Sequence, residues 1–341
     1  MNTAVCDRAY EAGPARPFLT LPGFHPGFGT TLKLEALNPS GSIKVKTARE
    51  MLTAAERQGL LRAGDALIES TSGNLGIALA MICAAKGYRI TLVTDPNTQA
   101  QSVRHMRALG AEVVVVDRRD ANGGYLQTRI DLIRERLRTT PGLVWLNQYR
   151  NPANARAHRR DTMAEILEGF GVPDWLFVGV GSSGTLMGCL GAVREHRLPT
   201  RVVAVDAQGS ITFGGEGASR HLPGLGSSRR PELFHDDGTF EKVRVSERDT
   251  VRTCRRVALR YGLLTGASTG TALHAVTLLG DRVEPGGRVL VIAPDSGERY
   301  LDTVYDDDWV ARTLGAGALA DRAPRPRGRA GAPLRGEALH G

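Results

Sequence analysis

Long hydrophobic runs are missing from this chain of 341 residues. No apolar stretch approaches the roughly 20 residues that a membrane-spanning helix needs. Near the N-terminus, Asp7 and Arg8 interrupt the segment where a secretory signal would require continuous apolar residues. The sequence therefore predicts a cytoplasmic protein that makes no contact with a membrane.

Cysteine is also scarce. The four cysteines, Cys6, Cys83, Cys189 and Cys254, show none of the close spacings that zinc sites and redox motifs use. Isolated cysteines of this kind are most often buried and behave as small apolar side chains. We therefore expect inert thiols and no metal site.

Basic side chains outnumber acidic ones by eight, and part of this excess lies in the segment 313–341. That segment contains five arginines and two acidic residues among many Pro, Gly and Ala residues. It lacks the apolar residues that a core requires, which predicts a disordered basic tail. A nucleic-acid-binding arm is the alternative interpretation of the tail, but we expect no nucleic-acid partner.

From Ala66 onward, short apolar strands alternate with amphipathic helices. Predicted strands begin near residues 66, 89, 112, 143, 174, 201 and 288, and predicted helices span 75–86, 101–109, 125–138, 151–170, 185–195 and 250–261. This alternation predicts an α/β fold with parallel, doubly wound sheets, and the chain length favours two lobes with a cleft between them. We assign residues 45–147 to a smaller, mobile lobe and residues 12–44 plus 148–312 to a larger lobe that binds the cofactor.

Three glycine-containing loops follow predicted strands and open predicted helices. Their sequences are STSGN (70–74), GSSGT (181–185) and GASTG (266–270). Backbone N–H groups at the start of a helix bind anions, and glycine lets an anion approach the backbone closely. In open parallel sheets such loops meet at the carboxyl ends of the strands, where ligands bind. The pattern indicates sites for a phosphate and a carboxylate, while the third loop presents a hydroxyl group to a ring.

The middle loop also fits a different cofactor. Gly179, Gly181 and Gly184 match the G-x-G-x-x-G fingerprint of dinucleotide-binding proteins, and Asp206 lies at the end of the next predicted strand. A pyrophosphate needs few side-chain donors, whereas this loop adds three hydroxyl groups that suit a phosphate monoester, those of Ser182, Ser183 and Thr185. A NAD-dependent oxidoreductase and a catalytically silent binding protein stay open as alternatives.

Lys44 ends the segment NPSGSIK (38–44), which follows a predicted strand and contains a tight Pro-Ser-Gly turn. Most lysines are solvated surface residues. This one lies at a strand-to-helix turn that faces the same cleft as the three loops. A partly desolvated lysine beside a phosphate site is what a Schiff base with pyridoxal 5′-phosphate requires. We therefore predict this cofactor, with Lys44 as the catalytic lysine and at most a secondary role for Lys46.

Together these motifs resemble the fold-type II pyridoxal-phosphate enzymes, the family that includes cysteine synthase, cystathionine β-synthase and tryptophan synthase β. The resemblance spans about residues 32–310 and rests on NPSGSIK, TSGNLGI (71–77), NQYRNPAN (147–154), GSSGT, GASTG and DSGERYLDT (295–303). It implies two lobes of the tryptophan synthase β-like architecture and a homodimer. It also implies a cofactor site formed by Lys44, Asn74, Gly181, Ser182, Ser183, Gly184, Thr185 and Ser268.

The resemblance implies a role for each part of this site. Lys44 carries the cofactor, Asn74 contacts the ring hydroxyl group, residues 181–185 hold the phosphate, and Ser268 faces the pyridine nitrogen. A neutral serine, unlike an aspartate, does not keep a proton on that nitrogen, so elimination from Cβ is favoured over transamination. Local capping is the alternative for Asn74, Ser268 and Gln148. The substrate carboxylate is expected to bind Thr71, Ser72 and Gly73, with help from Gln148.

Within the family, the chain is similar to the synthases that join O-phospho-L-serine to L-glutamate on the way to 2,3-diaminopropionate, a precursor of siderophores and peptide antibiotics. Shared stretches are ESTSGNLGIALAMI, GGYLQTRI, NQYRNPAN and VAVDAQGSITFGG, whereas Leu75 replaces the threonine usual in cysteine synthases. The substrates are thus expected to be small amino acids. Synthesis of cysteine or cystathionine from O-acetylserine, O-phosphoserine or serine is the alternative activity, and a dehydratase is another.

Three residues are candidates for binding the leaving phosphate or the incoming glutamate. They are Arg129, Tyr149 and Ser182. A solvated arginine on a helix surface is the alternative for Arg129, and a packed aromatic is the alternative for Tyr149.

Overall fold

The computed structural model describes residues 9–11 and 17–319. In chain order, the strands are β1 Phe18–Thr20, β2 Gly29–Leu34, β3 Ala66–Ser70, β4 Arg89–Thr94, β5 Glu112–Val115, β6 Leu143–Trp145, β7 Trp175–Gly179, β8 Arg201–Ala207, β9 Glu241–Val245 and β10 Arg288–Ala293. The α-helices are α1 Lys44–Arg57, α2 Asn74–Lys86, α3 Ala100–Ala108, α4 Leu126–Thr139, α5 Pro152–Ala157, α6 Met163–Gly169, α7 Gly184–Glu195, α8 Glu247–Tyr261, α9 Ala267–Leu279 and α10 Asp307–Leu314. A π-helical turn, His158–Thr162, joins α5 to α6.

Two separate sheets confirm the predicted α/β class. The larger sheet has the strand order β1-β2-β10-β7-β8-β9 and is parallel except for β1, which pairs antiparallel with β2. The smaller sheet has the order β5-β4-β3-β6 and is parallel throughout. All strands of the smaller sheet lie inside the segment 45–147 that the sequence assigns to a smaller lobe. The mobility of that lobe stays a prediction.

Both faces of the larger sheet are covered by helices. Along β10, Val289 and Val291 belong to one apolar cluster, whereas Leu290 and Ile292 belong to a second one. Successive side chains of a strand point to opposite faces, so a strand that is apolar throughout needs cover on both sides. Residues of α9 complete the first cluster and residues of α7 complete the second. This arrangement is the doubly wound architecture that the sequence predicts.

Ordered structure continues past residue 312. Helix α10 ends at Leu314, and the helical turn Ala316–Leu319 follows it. Ala318 is buried in an apolar cluster with Val310 and Leu314. The predicted tail therefore cannot begin at residue 313, because these residues contribute to a core. The rest of the predicted tail, 320–341, lies outside the described residues.

The described cysteines have the inert character that their spacing predicts. Cys83, Cys189 and Cys254 are free and buried. Burial raises the pKa of each of these thiols to about 12, so the reactive thiolate is hardly populated near neutral pH. Cys6 lies outside the described residues. As for a membrane span, none of the helices in 9–11 and 17–319 is both long and apolar enough to cross a bilayer.

Candidate active site

A cleft between the two sheets brings most of the predicted site residues together. Those that line it are Lys44, Thr71, Ser72, Gly73, Asn74, Arg129, Gln148, Tyr149, Gly181, Ser182 and Ser268. The other three, Ser183, Gly184 and Thr185, do not line the cleft and continue the turn into the start of α7.

Lys44 is the first residue of α1, and the segment before it is fixed to the end of β10. The Ile43 N–H group donates to the Pro294 carbonyl oxygen at 2.9 Å, and Ser42 forms a β-bridge with Asp295. The Lys44 ammonium group makes no hydrogen bond or ion pair with any described residue. Because burial removes water from this group, the pKa of Lys44 is lowered to about 8. A useful fraction of neutral amine is then available to react with a carbonyl group near neutral pH.

Lys46 belongs to a buried charge cluster and does not line the cleft. Its ammonium nitrogen lies 2.9 Å from a carboxylate oxygen of Glu35 and 2.6 Å from one of Glu165. Lys33 contacts the same two carboxylates, so two positive charges are balanced by two negative ones. Of the described lysines, Lys44 is therefore the one that lines the cleft.

The turn 181–185 has features of an anion site. Ser183 adopts a left-handed backbone conformation with φ of 70°, and α7 begins at the next residue. The Ser183 hydroxyl group is buried and has no hydrogen-bond partner among the described residues. A Cβ atom at Gly184 would lie 2.1 Å from the Asn154 Oδ1 atom, which requires glycine there. An unpaired buried hydroxyl group at the positive end of a helix fits the phosphate of the cofactor.

His158 lies directly behind this turn and was not singled out by the sequence analysis. Its Nε2 atom is 3.2 Å from Thr185 Oγ1 and 3.0 Å from Thr47 Oγ1, and its Nδ1 atom is 3.0 Å from Thr162 Oγ1. Burial, and then the charge of Lys44, lowers the pKa of His158 well below its ordinary value. The imidazole is therefore neutral and orients Thr185 without adding charge. No motif surrounds this histidine, so the sequence offers no signal for it.

The loop after β3 is held from behind by two of the predicted site residues. Gln148 donates to the Ser70 carbonyl oxygen at 2.8 Å, and Arg129 donates to the Thr71 carbonyl oxygen at 2.5 Å. The Thr71 hydroxyl group accepts from the Gly73 N–H group at 3.0 Å. A carbonyl oxygen accepts hydrogen bonds and cannot bind an anion. The capacity of the loop to bind an anion therefore resides in its remaining N–H groups. Gln148 bonds a residue that is distant in sequence, so local capping does not explain it.

Asn74, the first residue of α2, is held by the motif DSGERY. Its Nδ2 atom donates to Asp295 Oδ2 at 2.7 Å, and its Oδ1 atom accepts a hydrogen bond from Arg299. The Tyr300 hydroxyl group also donates to Asp295, at 2.8 Å. Asn74 makes no side-chain cap, so its capping alternative is wrong as well. Arg299 and Tyr300 line the cleft and were missed, although their place in a motif after the last strand was an available signal.

Ser268 lies in the first turn of α9, is buried, and lines the cleft. Gly266 occupies the N-cap position of α9, so the N-capping alternative for Ser268 is wrong. A Cβ atom at Gly266 would lie 1.8 Å from Asp295 Oδ1, and glycine is therefore needed for the two segments to approach. The position of Ser268 is compatible with a contact to the cofactor ring.

Arg129 and Tyr149 are both buried in the wall of the cleft. Arg129 is only 6 % exposed on α4 and its Nε atom lies 3.4 Å from Asp95 Oδ2, so the solvated-arginine alternative is wrong. Tyr149 packs in a cluster with Leu126 and Ile130, as the packed-aromatic alternative expects, and it also lines the cleft. Burial raises the pKa of Tyr149, which keeps its hydroxyl group protonated.

Asp206, the acidic residue of the dinucleotide alternative, does not line the cleft. It is buried at the end of β8, where Oδ1 accepts from the Ala207 N–H group at 2.8 Å. A ribose-binding acid must reach the ligand, so this position does not support NAD binding. Within the described part of the chain, no group of three or more His, Cys, Asp or Glu side chains could hold a metal ion.

Known proteins resemble this chain over most of its length. Residues 12–295 match the family described as pyridoxal-phosphate dependent enzyme. A protein of Ralstonia nicotianae described as N-(2-amino-2-carboxyethyl)-L-glutamate synthase is 43% identical over 296 residues, or 86% of this chain and 88% of the relative. A protein of the same description from Cupriavidus metallidurans is 41% identical over 298 residues, or 86% of this chain and 87% of the relative. The crystal structure of O-ureido-L-serine synthase superposes with a TM-score of 0.81 at 31% identity, covering 90% of this chain and 99% of that one.

The family match and the geometry lead to one conclusion. The matched residues include Lys44, the turn 181–185 and the loop after β3. The two-sheet architecture is that of fold-type II, which the resemblance implied. The cofactor is accordingly pyridoxal 5′-phosphate, and the dinucleotide alternative is set aside. This chain belongs to the family of pyridoxal-phosphate-dependent enzymes.

Proposed function

We propose that this enzyme joins O-phospho-L-serine and L-glutamate by β-replacement, giving N-(2-amino-2-carboxyethyl)-L-glutamate and phosphate. The observation that carries the proposal is that relatives of 43% and 41% identity, each matching 86% of this chain, are described as synthases of that product. The cleft supports it, because three arginines line the space where two anionic substrates must bind. They are Arg129, Arg220 and Arg299.

Each part of the cofactor has a matching residue in the cleft. When bound, pyridoxal 5′-phosphate supplies a conjugated ring that makes the Cα proton of an attached amino acid acidic. We assign its phosphate to residues 181–185, its ring hydroxyl group to Asn74 and its ring nitrogen to Ser268. The unpaired Ser183 hydroxyl group and the unpaired Lys44 ammonium group are the features that fit it.

Lys44 is the group that moves the proton. It takes the Cα proton of the donor while the bond between Cβ and the phosphate oxygen breaks and phosphate departs. The glutamate nitrogen then bonds to Cβ and loses a proton, and Lys44 returns a proton to Cα. A pKa of about 8 suits a group that both accepts and donates a proton near neutral pH.

The residues around Lys44 bind and enclose the substrates. Residues 71–73 hold the α-carboxylate of the donor, and Gln148 fixes that loop from behind. Across the cleft mouth, Asn97 donates to the Arg220 carbonyl oxygen at 2.9 Å and Asn122 donates to the Ser228 carbonyl oxygen at 2.8 Å. Such bridges exclude water from the reaction, and the smaller lobe has to move for substrates to enter.

We propose a cytoplasmic homodimer that acts on small amino acids and feeds the synthesis of 2,3-diaminopropionate for siderophores or peptide antibiotics. These features rest on the family resemblance.

Product analysis tests the function. The purified holoenzyme is incubated with O-phospho-L-serine or O-acetyl-L-serine and, in turn, with L-glutamate, other amino acids, homocysteine or sulfide. Mass spectrometry then identifies the products. The proposal expects the glutamate adduct from the phosphorylated donor, whereas cysteine or cystathionine as the main product would replace it with the alternative activity.

A further inference from the structure

Arg220 differs from the other two arginines of the cleft in how its side chain is bonded. Arg129 lies 3.4 Å from Asp95 and donates to a backbone carbonyl group. Arg299 donates to Asn74 and to another backbone carbonyl group. Each of these two guanidinium groups therefore has part of its hydrogen-bonding capacity committed to the protein.

Arg220, in contrast, has unused donors. Its Nη1 atom donates to the Leu225 carbonyl oxygen at 2.9 Å. Its Nε atom is buried and has no hydrogen-bond partner within the described part of the chain. No described carboxylate forms an ion pair with it, although Arg220 lines the cleft. An arginine presents its N–H groups as a planar fork, so most of this fork is open to a ligand.

Among the described residues, the carboxylates that act on the charge of Arg220 lie beyond ion-pair distance. Burial lowers its pKa, and Asp206, Glu247, Asp120 and Asp95 oppose this only from beyond ion-pair distance. A partly desolvated cation with no carboxylate at ion-pair distance is stabilised when an anion comes within hydrogen-bond distance. An anionic ligand in the cleft can therefore pair with the N–H groups of Arg220 that the described protein leaves unused.

The position of Arg220 suits a substrate rather than the cofactor. Its segment packs on the turn after β7, since the Gly226 N–H group donates to the Val180 carbonyl oxygen at 2.9 Å. On the other side, Asn97 from the loop after β4 holds the Arg220 carbonyl oxygen. Arg220 therefore reaches the cleft from the bridge between the two sheets, while the anion site for the cofactor is formed by residues 181–185.

We propose that Arg220 binds the extra oxyanion of the reacting amino acids, either the phosphate of the donor or the side-chain carboxylate of the acceptor. Both groups have oxygen atoms that accept paired hydrogen bonds from a guanidinium fork. Arg220 is then the residue that makes the cleft select anionic over neutral substrates. This inference rests on the proposed function, because only that reaction brings such groups to the cleft.

The test compares charged substrates with neutral ones of similar size. Holoenzyme of the wild type, Arg220→Gln and Arg220→Lys is assayed with O-phosphoserine against O-acetylserine as donor, and with glutamate against glutamine as acceptor. Arg230→Gln is the matched control, since Arg230 is exposed on the same segment and does not line the cleft. Bound cofactor and thermal unfolding are measured for every variant, so that a folding defect is recognised.

Arg220→Gln is expected to lower kcat/KM for one charged substrate by about 10- to 100-fold, because a hydrogen bond to a charged group is worth that much. The kcat/KM for the neutral counterpart of that substrate should change by less than about threefold. Selective loss with O-phosphoserine assigns Arg220 to the donor phosphate, and selective loss with glutamate assigns it to the acceptor carboxylate. Arg220→Lys keeps the charge and should recover part of the selectivity.

Equal losses for charged and neutral substrates, or no loss at all, would overturn the role of Arg220. A loss in Arg230→Gln as large as that in Arg220→Gln would overturn it as well. Failure of the proposed function looks different, since the wild type itself would then form no product from O-phosphoserine and glutamate.

Discussion

The surroundings of Lys44 lower the pKa of its amine, because they remove water without supplying an ion-pair partner from the described residues. The nearby lysines of the cluster have carboxylate partners, whereas the Lys44 ammonium group has none among the described residues. Desolvation without compensation is the physical reason for its lowered pKa. The same lysine on an exposed helix would stay protonated and unreactive at neutral pH.

Replacing Lys44 by alanine should abolish turnover and the visible absorbance of lysine-linked cofactor. Among the described residues no other lysine lines the cleft, so we expect a loss of activity of about 10³-fold or more. The free energy of unfolding of the apoprotein should change by about 1 kcal/mol or less, because no ion pair is lost. Lys86→Ala serves as the control, since Lys86 pairs with Glu56 away from the cleft. Retained lysine-linked absorbance in Lys44→Ala would contradict the assignment.

Attachment of the cofactor should depend on pH in a defined direction. Only neutral amine attacks a carbonyl group, and the fraction of neutral Lys44 rises as pH increases through its pKa of about 8. The rate at which apoprotein binds pyridoxal 5′-phosphate covalently should therefore increase with pH and level off above about 8. Stopped-flow absorbance measures this rate. A rate that keeps rising toward pH 10 would indicate a solvated lysine.

Sequence motifs predict the roles of Lys44, Asn74 and the turn 181–185, because the residues that mark them are neighbours in sequence. The partners of these residues could not be found in the same way. His158, for example, meets the site only through the folding of distant segments. Arg129 was also ambiguous, since the other arginines of α4 are exposed and nothing in the local sequence distinguishes the buried one.

Helices and strands were predictable where the apolar pattern was strong. Strands β3 to β8 and β10 begin within one residue of the predicted starts, whereas β1 and β9 were missed. Strand β1 has only three residues, and β9 carries charged residues at an edge of its sheet. Helix α8 begins at Glu247 rather than at residue 250, because the Ser246 hydroxyl group caps it by accepting from the Asp249 N–H group at 3.1 Å.

The start of α7 depends on one glycine, and a substitution there tests the phosphate turn. In Gly184→Ala the new Cβ atom would meet the Asn154 side chain at 2.1 Å. Asn154 bonds Ser182, so its displacement should weaken cofactor binding about tenfold and lower the free energy of unfolding by about 1–3 kcal/mol. Equilibrium titration with cofactor and thermal unfolding measure the two effects.

Gly191→Ala on the same helix is the matched control. Its Cβ atom would lie 3.2 Å from the flexible side chain of Arg159. The substitution should be neutral or stabilise the helix by up to about 1 kcal/mol, because alanine has the higher helix propensity. Equal effects of the two substitutions would mean that glycine is not specifically required at position 184.

Contacts between the two sheets connect the fold to the course of the reaction. Asn97 and Asn122 from the smaller-sheet side bond carbonyl oxygens of the segment 220–228, and Ser228 donates to Asp120 at 2.6 Å. These bonds are few and lie near the surface, so they can break and form again during turnover. The parallel sheets were predictable from the alternation of strands and helices, but the bridges that join the two sheets were not, because turn residues show no periodicity.

Loss of one bridge between the sheets should increase the side reaction with water that gives pyruvate. Asn122→Ala removes the bond to the Ser228 carbonyl oxygen, worth about 1 kcal/mol, which shifts an equilibrium about fivefold toward opening. The ratio of pyruvate to replacement product should then rise several-fold, because water competes with the nucleophile. Gln127→Ala is the control, as its amide bonds Asp131 on its own helix. An unchanged ratio in Asn122→Ala would mean that this bridge does not help to exclude water from the cleft.

The most direct test of the proposed function uses O-phospho-L-serine together with L-glutamate that carries a heavy-nitrogen label. The holoenzyme is expected to release one phosphate for each molecule of N-(2-amino-2-carboxyethyl)-L-glutamate, and the labelled nitrogen is expected to form the new bond to Cβ. Mass spectrometry with fragmentation and a phosphate assay measure both quantities in one reaction. Phosphate release without a labelled product, or a higher kcat/KM with O-acetylserine and sulfide, would contradict it.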